Sequence, residues 1–220
     1  MRYAHLLAAG CAAALAAGAA SAATVTLSGG TPEALPAISG QHFKPELSAA
    51  GVDTLYRGPL TLTLTGASRL TFSLVAAESA FANTLKFGGA PIITETSTST
   101  DGSYKVGDFL TGVLDGRTFV TGDLAGGTVL SDLLAFNGPL NGDMGADEDE
   151  FGVFSDASIT GAGAATFFLS FDDDGANDDD NHDDIIVRVD VAPVPLPAAG
   201  LLLLGGLGGL MGLRRLRRAA

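Results

Sequence analysis

Residues 60–75 read Leu60-Thr61-Leu62-Thr63-Leu64-Thr65-Gly66-Ala67-Ser68-Arg69-Leu70-Thr71-Phe72-Ser73-Leu74-Val75. Apolar and hydroxyl-bearing residues alternate on both sides of a Gly-containing break. Successive side chains of a strand point to opposite faces, so this period of two marks half-buried strands. The pattern predicts a hairpin turning near Gly66-Ala67. Similar bursts recur at Thr24-Val25-Thr26-Leu27-Ser28, Thr118-Phe119-Val120-Thr121, Thr166-Phe167-Phe168-Leu169-Ser170-Phe171 and Ile185-Ile186-Val187-Arg188-Val189-Asp190-Val191. Turn formers separate them, as in Thr65-Gly66-Ala67-Ser68, Phe87-Gly88-Gly89-Ala90-Pro91 and Asn137-Gly138-Pro139. Between residues 23 and 192 no segment carries a convincing helical stripe, although 124–136 has room for a short helical turn. No repeat of fixed period is present. Many short strands without intervening helices predict an all-β fold, a single antiparallel β-sandwich or jelly-roll-like domain. The last strand, residues 184–191, should pair inside a sheet. Its alternation directs Ile185, Val187, Val189 and Val191 to the core, and Ile186, Arg188 and Asp190 to the other face.

The two ends of the chain do not belong to that domain. Arg2 precedes an Ala/Leu-rich stretch over residues 6–20, and Ala20-Ser21-Ala22 is a small-x-small cleavage site. Residues 1–22 therefore read as a secretory signal peptide, cut by signal peptidase. Cys11 is poorly placed for lipidation, because Leu7 stands four residues before it where three are wanted. Without Cys11 the mature chain has neither a disulfide nor a thiol. At the other end, Val194-Pro195-Leu196-Pro197-Ala198 opens residues 193–220. An uncharged stretch of Leu and Gly follows over residues 196–213, and then Arg214, Arg215, Arg217 and Arg218. A bilayer needs about 17–25 apolar residues, so 196–213 is long enough for a transmembrane helix. The arginines hold its far end in the cytoplasm, which places residues 23–192 outside.

That exported part contains all 25 acidic residues but only Lys44, Arg57, Arg69, Lys86, Lys105, Arg117 and Arg188 as basic ones, a net charge of −18 from seven against 25. Such a surface repels nucleic acid and attracts divalent cations. Nucleic-acid binding is excluded, since phosphate contacts need a basic footprint.

The acid is concentrated. Residues 172–184 read Asp172-Asp173-Asp174-Gly175-Ala176-Asn177-Asp178-Asp179-Asp180-Asn181-His182-Asp183-Asp184, eight Asp in thirteen residues between two apolar strands. Carboxylates so close repel one another unless a cation neutralises them. Ca²⁺ suits the task, because it takes six to eight oxygen ligands in flexible geometry. The candidate ligands are Asp172, Asp173, Asp179, Asn181, Asp183 and Asp184. Asp179, Asn181 and Asp183 have the spacing that opens an EF-hand loop. Asp184 nevertheless stands where Gly is required, Asp190 where Glu is expected, and the flanks are strands. A plain solubilising loop is the alternative for this segment and the stronger reading for Asp147-Glu148-Asp149-Glu150. His182 reads as a hydrogen-bonding neighbour more readily than as a ligand, since imidazole is not a hard-cation donor.

The tail, with Val194-Pro195-Leu196-Pro197-Ala198, the apolar span and the Arg cluster in that order, resembles the VPLPA variant of the PEP-CTERM sorting signals. Membership implies an exosortase that cuts near the Pro-marked boundary in a Gram-negative bacterium. It implies a membrane-anchored precursor delivered to the cell surface or to the surrounding exopolysaccharide. Two more segments are similar to such proteins. One is Asp172-Asp173, then residues 179–184, then Ile185-Ile186-Val187-Arg188-Val189. The other is Glu78-Ser79-Ala80-Phe81-Ala82-Asn83, with Ser79-Ala80 where relatives carry Ala-Gly and Phe81 where they carry Tyr. The resemblance supplies an address and an architecture, not a reaction.

Three functions compete. A non-enzymatic surface or matrix protein stabilised by Ca²⁺ comes first. A carbohydrate-binding module is second; the chain has no Trp to stack on sugars, leaving Tyr56, Tyr104 and several Phe. A hydrolase is third. The exported part has only His42 and His182, no Cys, no Gly-x-Ser-x-Gly elbow and no His-Glu-x-x-His helix, though a carboxylate pair would suffice for glycoside cleavage.

Overall fold

The alternating segments do become strands. The computed structural model describes residues 22–79, 81–95, 104–140, 142–173 and 181–194. One compact unit spans Ala22–Pro193. Its strands are β1 (Val25–Ala34), β2 (Thr54–Leu64), β3 (Ser68–Ala77), β4 (Thr84–Phe87), β5 (Ala90–Thr94), β6 (Lys105–Val106), β7 (Thr118–Val120), β8 (Leu134–Gly138), β9 (Gly142–Gly145), β10 (Phe151–Ser155), β11 (Thr166–Phe171) and β12 (Ile185–Pro193). The larger sheet has the order β1-β2-β10-β11-β12-β3-β6, with β7 also on β3, and the smaller has the order β5-β4-β8-β9. Every pairing is antiparallel. The protein is predominantly antiparallel β, in two sheets, as the sequence predicts. Among the described residues no helix is long and apolar enough to cross a membrane.

β12 sits between β11 and β3 and explains most of the core. Ile185, Val187, Val189 and Val191 enter the main hydrophobic cluster with Phe72, Leu74, Phe167 and Leu169 of the same sheet. The smaller sheet contributes Leu85, Leu134 and Phe136 to that cluster. Phe136 stacks on Phe171 with centroids 5.1 Å apart and lies 5.5 Å from Phe151. Offset aromatic pairs of this kind add about 0.5–1.5 kcal/mol beyond their burial.

The opposite face of the larger sheet is covered too. Ile186, Phe168, Phe154, Leu55 and Val75 form a second cluster with Leu35, Ile38, Phe43, Leu47 and Phe109. Leu47 belongs to a short α-helix, α1 (Lys44–Ala49), which has Pro in its first turn. Six residues are too few to write a helical stripe, so its periodicity is silent in the sequence. Burial on both faces also removes the alternation that would mark β10, where all five residues are buried. Arg188 escapes between the clusters. Its guanidinium donates to the carbonyls of Phe109 (3.3 Å) and Leu110 and to Asp190 (2.7 Å), so it braces the turn at 109–110.

One expectation is corrected. Residues 60–75 do not form a hairpin: β2 and β3 follow each other through residues 65–67 but do not pair. β2 pairs with β10 only over Thr54, Leu55, Tyr56 and Arg57. Gly58 (φ 77°) and Pro59, which has no N–H to donate, then carry it away from β10. Beyond them, Leu60 and Leu64 donate to Ala146 and Thr128 (2.9 and 3.0 Å), and Leu62 accepts from Leu130 (2.8 Å). β3 instead starts beside Leu124, with Ser68 and Leu124 exchanging backbone hydrogen bonds. The alternation correctly marks two strands; it carries no information about which strands pair.

Candidate metal-binding corner at the mouth of the β11–β12 hairpin

The register of β11 against β12 closes at Phe171 opposite Ile185, so the acidic segment begins and ends at one hairpin mouth. Residues 174–180, Asp179 included, lie outside the described residues. The two ends of the segment are not solvated. Asp172, Asp173, Asn181, His182 and Asp183 are 5%, 3%, 2%, 1% and 2% exposed, while Asp184 is half-buried. A buried carboxylate costs several kcal/mol unless donors or a cation meet it, so the surroundings of each group matter.

Three neighbouring segments provide those surroundings. The first follows β3, whose pairing with β12 brings Glu78 and Ser79 against Asp184. Their N–H groups donate to its carbonyl at 3.3 and 3.4 Å. The Ser79 hydroxyl and the Asn83 amide (2.9 Å) both donate to Asp173 Oδ2. The Asp173 N–H donates to Asp184 Oδ2 at 2.6 Å. The second segment precedes α1. Gln41 Nε2 donates to the Asn181 carbonyl (2.9 Å), while its Oε1 accepts from the Phe43 N–H (2.8 Å). The His42 N–H donates to Asp183 Oδ2 at 3.0 Å. Within the mouth, Asn181 Oδ1 accepts from the Asp183 N–H at 3.1 Å, a local turn of the kind Asn favours.

β10 is the third segment. His182 has a positive φ of 59°, and the residue is buried. Its Nε2–H donates to the Asp149 carbonyl at 2.8 Å. The ring lies on Gly152, where an added Cβ would stand 2.5 Å from His182 Cδ2 and 2.4 Å from Ser170 Oγ. The structure thus places His182 as a packed, hydrogen-bonded neighbour.

Burial pushes the Asp183 carboxyl up to about 9, against the opposing pull of the His42 N–H; the charges on Glu78 and Asp184 push the same way as burial. Burial thus disfavours the charged form of Asp183, and a cation beside it would favour that form again. Among the described residues, one group brings three metal-ligand atoms within 4.8 Å of one another: His42, Glu78 and Asp183. Of the six ligands expected from the sequence, Asp183 belongs to that group. At least one oxygen each of Asp173, Asn181 and Asp184 already accepts a hydrogen bond, and Asp172 is buried with its N–H donating to the Glu150 carbonyl at 3.1 Å. No signal in the sequence joins His42 to this corner; it stands 141 residues from Asp183. Glu78, Ser79 and Asn83 were marked only by the resemblance, and they converge on Asp173 and Asp184.

Other expected site residues fall differently. Tyr56 is buried and cannot stack on a sugar; Tyr104 is exposed and lies parallel to the His42 ring, 5.2 Å away. Ala22 and Val194 are the described limits of the unit's flanks. Ala20, Pro195, Leu196, Pro197, Ala198, Arg214, Arg215, Arg217 and Arg218 lie outside the described residues. No protein-family model and no curated protein matches this chain.

Gly152→Ala tests the packing of this corner. The added methyl has no room beside His182 and Ser170, and overpacking of this kind costs about 1–3 kcal/mol. Urea unfolding should show a loss in that range, whereas an unchanged midpoint would mean that His182 is not seated on β10.

Proposed function

We propose that this chain is an exported, non-enzymatic surface or matrix protein whose two sheets form a β-sandwich stabilised by Ca²⁺ at the acidic hairpin mouth. The observation that carries the reading is the burial of Asp172, Asp173, Asn181 and Asp183 at the two ends of an eight-Asp segment. A connector that served only solubility would keep its charges in water. Asp172, Asp173, Asp179, Asn181, Asp183 and Asp184 supply the oxygens, in a number that suits Ca²⁺. The signal peptide, residues 1–22, and the PEP-CTERM-like tail, residues 193–220, supply the route. The chain crosses the inner membrane, loses its leader to signal peptidase and is held transiently by the span at 196–213. Exosortase then releases it to the surface, among exopolysaccharide. A carbohydrate-binding role rests on Tyr104 alone among the tyrosines of residues 23–192, and is the second reading.

Calcium should stabilise the folded chain alone, by RT ln(1 + [L]/Kd), about 2.7 kcal/mol at a hundred times Kd. Extracellular sites bind at roughly 10⁻⁴ to 10⁻³ M, so about 5 mM calcium is the relevant dose. The melting temperature should rise over that in EDTA, magnesium should do less, and Asp179→Asn with Asp184→Asn should abolish the rise. Coincident melting curves in EDTA and calcium would reduce the segment to an acidic connector.

The route has its own test. Intact mass of material recovered from the cell surface should show a chain that starts after Ala22 and ends near residues 194–198. Recovery only of chain ending at Ala220 in the inner membrane would leave a plain anchor in place of a sorting signal.

A further inference from the structure

The calcium reading gives no role to His42. Its imidazole is 43% exposed at the side chain, on the turn before α1, and it faces two carboxylates from distant parts of the chain. Nδ1 contacts Glu78 Oε2 and lies 3.5 Å from Asp183 Oδ2. We propose that His42 Nδ1, Glu78 and Asp183 form a second cation site, a three-ligand site for a divalent transition ion of the zinc type. This inference goes beyond the calcium reading and shares only Asp183 with it.

The donor set argues for the ion. An imidazole nitrogen with two carboxylate oxygens suits Zn²⁺ and its neighbours, whereas Ca²⁺ prefers oxygen alone. Zn²⁺ holds N and O donors at about 2.0–2.2 Å, so two donors on one ion stand no more than about 4.4 Å apart. The three ligand atoms already lie within 4.8 Å of one another. Tetrahedral donors at that range stand about 3.3 Å apart, so Nδ1, now in hydrogen-bond contact with Glu78 Oε2, must draw back from it to admit an ion, a movement open to the exposed imidazole.

The supports argue for the site. Three protein ligands are the usual number where a fourth position stays open. Here the exposure falls from His42 at 43% through Glu78 at 21% to Asp183 at 2%, so that position faces solvent and a water can fill it. Each ligand is also oriented from behind, as outer contacts orient metal ligands. The His42 N–H fixes Asp183 Oδ2, and the backbone of Glu78 is tied to Asp184. Tyr104 lies flat on the imidazole, with an interplanar angle of 9°. Gln41 holds the turn carrying His42 onto Asn181, so the ion would staple the pre-α1 segment to the ends of β3 and β12.

Isothermal titration of the full-length, EDTA-stripped chain with zinc chloride tests the proposal. One ion per chain should bind. His42→Ala and Glu78→Gln should each weaken binding by more than the roughly 10–100-fold that loss of an outer-shell partner costs. Asp132→Asn, an exposed carboxylate elsewhere, should change nothing. Co²⁺ in place of zinc should give the visible absorption of a four-coordinate ion, absent in His42→Ala. His42 is exposed enough that its variant should melt like the parent in EDTA; if it does not, Glu78→Gln carries the test. No zinc binding, or binding that survives both substitutions, overturns the site. Zinc binding lost in His42→Ala with the calcium-dependent melting shift intact supports two separate sites; zinc binding with no calcium response supports this site and contradicts the calcium reading alone.

Discussion

Carboxylates buried at a hairpin mouth must each be met by a donor or a cation, and this requirement organises one end of the molecule. Asp173 is held by Ser79 and Asn83, Asp184 by the Asp173 N–H, and Asp183 by the His42 N–H. Those donors come from the chain after β3, the chain before α1 and the mouth itself. The chain after β3 turns back over β12, and the chain before α1 is drawn onto Asn181 through Gln41. The same pre-α1 chain, continuing through Phe43 and Leu47, covers the outer face of the larger sheet. Polar satisfaction at the mouth and apolar burial on that face are thus two results of one chain path. A donor lost from such a buried group would cost more than the net worth of its hydrogen bond, because the acceptor would stay desolvated.

Local patterns wrote the strands legibly and their neighbours poorly. Thr166–Phe171 and the strand from Ile185 onward were readable because one face is apolar and the other mixed. Phe151–Ser155 was not, because it is covered on both sides and shows no period. Residues 60–75 mislead for a different reason: the short link at 65–67 is compatible with either a hairpin or a step between non-adjacent strands of one sheet, and only the hydrogen bonds of Leu60, Leu62 and Leu64 to residues 128–146 decide. In the corner, composition drew attention to the Asp residues, yet nothing in an acidic run distinguishes a solvated loop from a buried one. His42 and Gln41 lie some 140 residues from their partners and carry no local mark at all.

The functional reading follows from the same contrast. Seven basic residues face 25 acidic ones in residues 23–192, which favours a cation-rich exterior and disfavours polyanionic partners. Of the two tyrosines in residues 23–192, the described surface exposes Tyr104 and not Tyr56. It also offers an acidic corner whose ends are folded into the core, next to an imidazole with two carboxylates in reach.

The central claim is that the ends of the Asp-rich segment are part of the folded core. Amide hydrogen exchange of the purified chain, read residue by residue, tests it most directly. The amides of His42, Asp173 and Asp183 should exchange as slowly as those of β11 and β12, because each donates to a buried oxygen of the corner. Exchange at the rate of an open loop, with β11 and β12 still protected, would contradict the account.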